Sequence, residues 1–157
     1  MINNYELHVR CIGLENNDIF PLENTGRGKD ISPAFEFENL SPAAKTIAIT
    51  LEDIKHPLFK NFTHWVIWNI PASKNIIGAI PHGKNVGALN SAIQGIAYGW
   101  HKYAGPKPPK GKQHQYRFTI YVLDNILSLS PNSTKKKFIK SAKNHILQKG
   151  IVTGWFE

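Results

Sequence analysis

Cys11 is the only cysteine in the 157 residues. No intramolecular disulfide can form, and a zinc site built from several thiolates is excluded. One unpaired thiol fits a reducing compartment. No run approaches the 18 or so apolar residues that a membrane-spanning helix needs. The start, Met1-Ile2-Asn3-Asn4-Tyr5-Glu6, lacks a basic segment followed by an apolar one, so no secretory signal is read there. A cytoplasmic protein is the expectation. Also missing are G-x-S-x-G, G-x-G-x-x-G and a P-loop, so no serine is marked as a nucleophile and no nucleotide cofactor is called for. No repeat, low-complexity tract or long linker divides the chain. One domain over residues 1–157 follows, large enough to bury a core without staples.

Acidic residues are outnumbered 11 to 19 by Lys and Arg, leaving a formal charge of +8. Lys135, Lys136, Lys137, Lys140, Lys143 and Lys149 gather near the C-terminus, while Lys102, Lys107, Lys110 and Lys112 flank a Pro/Gly loop. The plain reading is a solvated helix face and a solvated loop. No helix-turn-helix, zinc finger or RNP motif appears, so nucleic acid is not expected as a partner.

Strand signals dominate what is present. Tyr5, Leu7, Val9 and Cys11 alternate with polar residues, as do Ile47, Ile49 and Leu51 with Thr46, Ala48 and Thr50. His64-Trp65-Val66-Ile67-Trp68-Asn69-Ile70 is apolar on both faces and stops at Pro71, as a central strand would. Tyr116, Phe118, Ile120 and Val122 form one face of another strand, with Arg117, Thr119 and Tyr121 behind. Residues 71–113 are too long for a plain connector, and a short strand is expected near 93–98. One helix is expected, starting at Ser130-Pro131 or at Ser133. Ile139, Ala142 and Ile146 recur at helical spacing, and Gly150 reads as the stop. Ile151-Val152-Thr153 would be a last short strand. The expected fold is mostly β, a sandwich or barrel-like arrangement with a peripheral C-terminal helix.

Of seven histidines, His64 and His114 stand at strand starts beside loops. Asp53 ends the strand around residue 51. At the ends of neighbouring strands these three could meet, with the carboxylate fixing one imidazole and two rings facing an anion. Tyr116 shares a face with His114 and could add its hydroxyl. Zinc on Asp53, His64 and His114 is chemically possible, but the close histidine spacing that anchors such sites is missing. The segment 105–116, Gly-Pro-Lys-Pro-Pro-Lys-Gly-Lys-Gln-His-Gln-Tyr, holds three prolines that stiffen a wall leading into His114.

The order of these pieces resembles the phosphatidylethanolamine-binding protein family, which includes Raf kinase inhibitor protein and short bacterial and archaeal members. Four blocks carry the likeness: Ser32-Pro33-Ala34-Phe35, residues 49–57, His64-Trp65-Val66-Ile67-Trp68-Asn69-Ile70-Pro71, and 105–116. The resemblance implies two antiparallel sheets with a small anion pocket at one end. It implies pocket residues Asp53, His64, Pro109, His114 and Tyr116, with Pro108 in the same wall, and a cis peptide before Pro57. Lys55 stands where the family has a second acid and, if it faces the pocket, would favour anions further. The function expected is binding of phosphate or a phosphoryl head group, in a regulatory rather than catalytic role. The competing expectation is a hydrolase using His64 or His114 as base. A protein partner or homodimer through the lysine-rich helix is a third.

Overall fold

In the computed structural model, which describes residues 5–157, ten strands and one helix form two sheets. The reading of residues 1–4 as free of a signal lies outside the described residues. The small sheet holds β1 (Val9–Cys11), β3 (Phe35–Phe37) and β6 (Asn75–Ile76), all antiparallel. The large sheet holds β2 (Asp18–Ile19), β4 (Thr46–Asp53), β5 (Phe62–Pro71), β7 (Asn85–Val86), β8 (Ala92–Gln94), β9 (His114–Leu123) and β10 (Ile146–Phe156). Their order is β2-β10-β9-β4-β5-β8-β7. Every pairing is antiparallel except β2 with β10, which is parallel.

The inward faces of the sheets make the main core. Leu51, Trp65, Phe118 and Ile120 meet Phe35, Phe37 and Ile76 there. A second layer lies under α1 (Lys135–Ala142), where Phe138 stacks on Trp68 and meets Tyr121 edge-on. This layer explains why the whole of β4 is buried, although its sequence alternates like a strand with one wet face. No helix of the described residues is long and apolar enough to cross a membrane.

Five expectations change. The helix begins after Thr134, not at Ser130 or Ser133. Ser130 instead accepts the Ser133 N–H, and its hydroxyl takes the Asn132 N–H, closing a turn. Ile146 is a strand residue, and the last strand is eleven residues long rather than three. Gly150 lies inside that strand, opposite Ile120. A Cβ there would collide with Val9 and with the Leu7 carbonyl, so close packing requires the glycine, not a helix stop. The peptide bond before Pro57 is trans, the isomer an X–Pro bond prefers by about 0.5–1 kcal/mol. Lys135 is not a solvated helix lysine, because it pairs with the buried Glu52, which also meets Arg117.

Candidate functional site

The sheet's register brings the acid and the second histidine together. Asp53, last in β4, pairs with Tyr116 of β9, and His114 is two residues away on the same face. Asp53 is buried, and both of its oxygens are engaged. The Lys55 N–H donates to Oδ1 at 2.9 Å, and His114 Nδ1 donates to Oδ2 at 2.7 Å. This fixes the His114 ring and leaves its Nε2 as the nitrogen open to the cleft.

His64 arrives by a less regular route. β5 spends ten residues opposite eight of β4, with register shifts between Ile47 and Ile49 and between Leu51 and Glu52. At the second shift Leu51 pairs with Trp65 and Glu52 with Thr63, so His64 is the extra residue of a bulge. Neighbours His64 and Trp65 therefore face the same side, which a regular strand forbids. Trp65 meets Tyr103 in the core, while the His64 ring stands edge-on to Tyr116 at 5.3 Å.

Asp53, His64, His114 and Tyr116 line one cleft of about 130 Å³, with Lys107, Pro108 and Pro109 as the opposite wall. All six expected residues are thus brought together. The wall is held from behind: Arg27 donates to the Pro108 carbonyl, Gly26 N–H to Pro106, and Gly105 N–H to Asp30 Oδ1 at 2.6 Å. A larger open groove of about 1030 Å³ lies elsewhere, along β1 and β10. Its rim charges are solvated, as in the exposed Arg10–Glu36 pair, and none of the six residues reaches it.

Electrostatics differ sharply around the cleft. Burial pushes the His64 pKa below its ordinary value, against the opposing pull of the Ala104 carbonyl, Asp53, the Gly105 backbone and Asp30. Burial raises the Tyr116 hydroxyl, helped by Asp53 and Tyr98 and opposed by the Lys107 backbone and Arg27. Tyr116 therefore remains a hydroxyl donor throughout the physiological range.

Lys55 is exposed and contributes its backbone N–H, not its ammonium; Lys107 is the lysine at the cleft. Tyr98, His56 and Pro57 also line it without having been expected. The signal for Tyr98 was the Tyr98-Gly99 pair. Ala97 and Trp100 exchange two backbone hydrogen bonds around it, and both central residues have positive φ, as in a tight hairpin turn. Arg27 and Asp30 reach the wall from another segment and carried no local signal.

Residues 13–157 match the family model for phosphatidylethanolamine-binding protein. A UPF0098 protein of Pyrococcus abyssi is 38% identical over 144 residues, covering 90% of this chain and 80% of that protein. One from Methanothermobacter thermautotrophicus is 32% identical over 157 residues, covering 96% and 98%. Among solved structures, E. coli YbcL, described as a member of the mammalian PEBP family, superposes with a TM-score of 0.85 at 23% identity. It covers 97% of this chain and 98% of its own. A homologue from Chlamydia trachomatis gives 0.84 at 23% identity, over 98% of each chain. At that identity the two structures speak for the fold, and the sequence matches carry the rest: the chain belongs to the phosphatidylethanolamine-binding protein family.

Proposed function

We propose that the cleft binds a small oxyanion, inorganic phosphate or a phosphoryl head group. The carrying observation is His114, fixed by a 2.7 Å hydrogen bond to buried Asp53, with its other nitrogen open to a cleft of about 130 Å³. That volume matches about four water molecules, which suits one phosphoryl group and is too small for a drug-sized ligand. Lys107 brings positive charge, and Tyr98 and Tyr116 bring hydroxyls. A phosphoryl oxygen accepts from His114 Nε2–H, while Asp53 holds the ring by its Nδ1. The family's name supports the oxyanion class alone, since phosphatidylethanolamine is a phosphodiester and carries no free phosphoryl hydroxyl.

The same Asp53–His114 couple favours a second reading, a hydrolase with His114 as general base. Among the described residues no serine, threonine or cysteine lines the cleft, so His114 as base would act on water. p-Nitrophenyl phosphate should bind and stay intact. Hydrolysis that disappears in His114→Ala would transfer the assignment to this reading.

The basic helix is the competing anion surface, since Lys136 and Lys140 are exposed on α1 and Lys143 is exposed at its C-cap. Calorimetric titration with inorganic phosphate separates the two. The triple Lys→Gln variant at these positions should keep wild-type affinity, and His64→Ala should lose about tenfold or more. The reverse pattern would move binding from the cleft to the helix, where a steep salt dependence is expected for polyanions.

A further inference from the structure

The two histidines of the cleft are backed by opposite chemistry. Behind His114 stands a carboxylate, 2.7 Å from Nδ1. Behind His64 stands the carbonyl of Ala104, 2.9 Å from its Nδ1. A carbonyl only accepts, so the His64 hydrogen sits on Nδ1. The ring is buried, and burial favours the neutral form. Its Nε2 then presents a bare lone pair to the cleft.

What meets that lone pair in the structure is a hydroxyl. The Tyr98 OH lies 3.4 Å from His64 Nε2, with the two rings edge-on at 4.9 Å. Burial, then the charge of Asp53, raise the Tyr98 pKa, so the phenol keeps its proton. The contact is held at a backbone cost, because Tyr98 sits at φ +55°, which bulky residues rarely adopt. The 3.4 Å separation is long for an O–H···N bond, which leaves room for a better donor.

Other groups around His64 do not replace this donor. From β4, Asp53 is fully engaged by His114 and Lys55. After β4, His56 accepts two backbone N–H groups through Nδ1. From the segment before β9, Lys107 lines the far wall, with Arg27 bound behind it to Pro108. On β9, Tyr116 presents its ring to His64. Asp30 is held behind the wall by Gly105.

Resting on the oxyanion reading above, we propose that the cleft selects oxyanions that carry their own hydroxyl. The ligand's O–H donates to His64 Nε2 in place of Tyr98, while its ionised oxygens accept from His114, Lys107 and the freed Tyr98 hydroxyl. A hydrogen phosphate or phosphomonoester monoanion fits this asymmetric pair. Sulfate and phosphodiesters, which have no hydroxyl, place an acceptor against an acceptor.

Calorimetry on the wild-type protein tests this with four probes: inorganic phosphate, methyl phosphate, dimethyl phosphate and sulfate. At mildly acidic pH methyl phosphate and dimethyl phosphate carry the same charge, and only the first has a hydroxyl. We expect phosphate and methyl phosphate to bind about tenfold or more tightly than the other two. Repeating the titrations at mildly alkaline pH, in buffers of different ionisation heat, should show methyl phosphate, there a dianion with no hydroxyl, taking up close to one proton more than inorganic phosphate, which as hydrogen phosphate already carries its hydroxyl. In His64→Gln, whose amide offers a donor to any oxyanion, the preference over sulfate should collapse toward unity. Equal affinity of all four probes for the wild type would overturn the inference and leave the oxyanion site standing. Binding of none of them would remove both.

Discussion

Phosphate should stabilise the wild-type protein and leave His114→Ala almost unmoved. At a phosphate concentration about a hundred times the dissociation constant, linkage predicts roughly 2.7 kcal/mol of added stability. For a domain of this size each kcal/mol raises Tm by about 2–4 °C, so the wild type should gain roughly 5–10 °C. The variant should gain less than a tenth of that. Its loss has two parts. The donor nitrogen disappears, and Asp53 Oδ2, now without its partner at 2.7 Å, turns a carboxylate charge toward the anion. Asp53→Asn tests the carboxylate's support of the ring instead, because it keeps the shape and the His114 donor while removing the charge behind the imidazole. It should weaken phosphate by about tenfold, an intermediate effect. Thermal melts of the three proteins with and without phosphate decide the matter. Equal shifts in wild type and His114→Ala would take His114 out of the site.

Gly105→Ala should damage stability and binding together. A methyl group there would overlap the Asn24 backbone carbonyl and approach Asp30 Oδ1 to 2.9 Å. Backbone cannot move aside as a flexible side chain can. The Asn24 carbonyl is also committed, accepting the Tyr103 hydroxyl at 2.6 Å. Overpacking of this kind costs about 1–3 kcal/mol, at times more. Relief would push residues 104–109 outward. That displaces the Ala104 carbonyl that sets the His64 tautomer and the Pro108-Pro109 wall. Denaturant melts and phosphate titration should therefore both show a loss. Gly87→Ala is the control, since nothing lies within 4 Å of its added methyl and its φ is not positive. If the two variants melt alike, the Gly105 contact does not hold the wall.

Much of this was readable from residue patterns. The period-two run from Tyr116 to Val122 declared its inner face, and the apolar run from His64 to Ile70 declared a strand covered on both sides. Those patterns record burial, and burial is what selects the residues. Asp53, His64 and His114 could be nominated because strand ends beside loops are where a rigid sheet presents a site, and Tyr116 because it shares a strand face with His114. The unreadable parts are set by tertiary contacts. Gly150 looks like a helix stop until Leu7 and Val9 are seen crossing it. Lys55 looks nearer to the anion than Lys107 until the wall is folded back by Arg27, 81 residues away from Pro108. The Tyr98-Gly99 pair signals a tight turn, but not that the turn carries the Tyr98 hydroxyl to His64, 34 residues away in sequence.

The bulge at His64 ties the site to chain length as well as to chemistry. With one residue fewer between Thr63 and Trp65, β4 and β5 would form a plainer ladder. The imidazole's place beside Tyr116 would then fall to another side chain, and no point substitution elsewhere could restore it. A single-codon deletion here is therefore unlike a deletion in the surface loops. It would leave a chain able to fold around the same sheets, with Asp53 and His114 still paired and half of the proposed anion site missing. Shape would survive a change that the proposed recognition would not, so the number of residues in β5, and not only their identity, specifies where His64 stands.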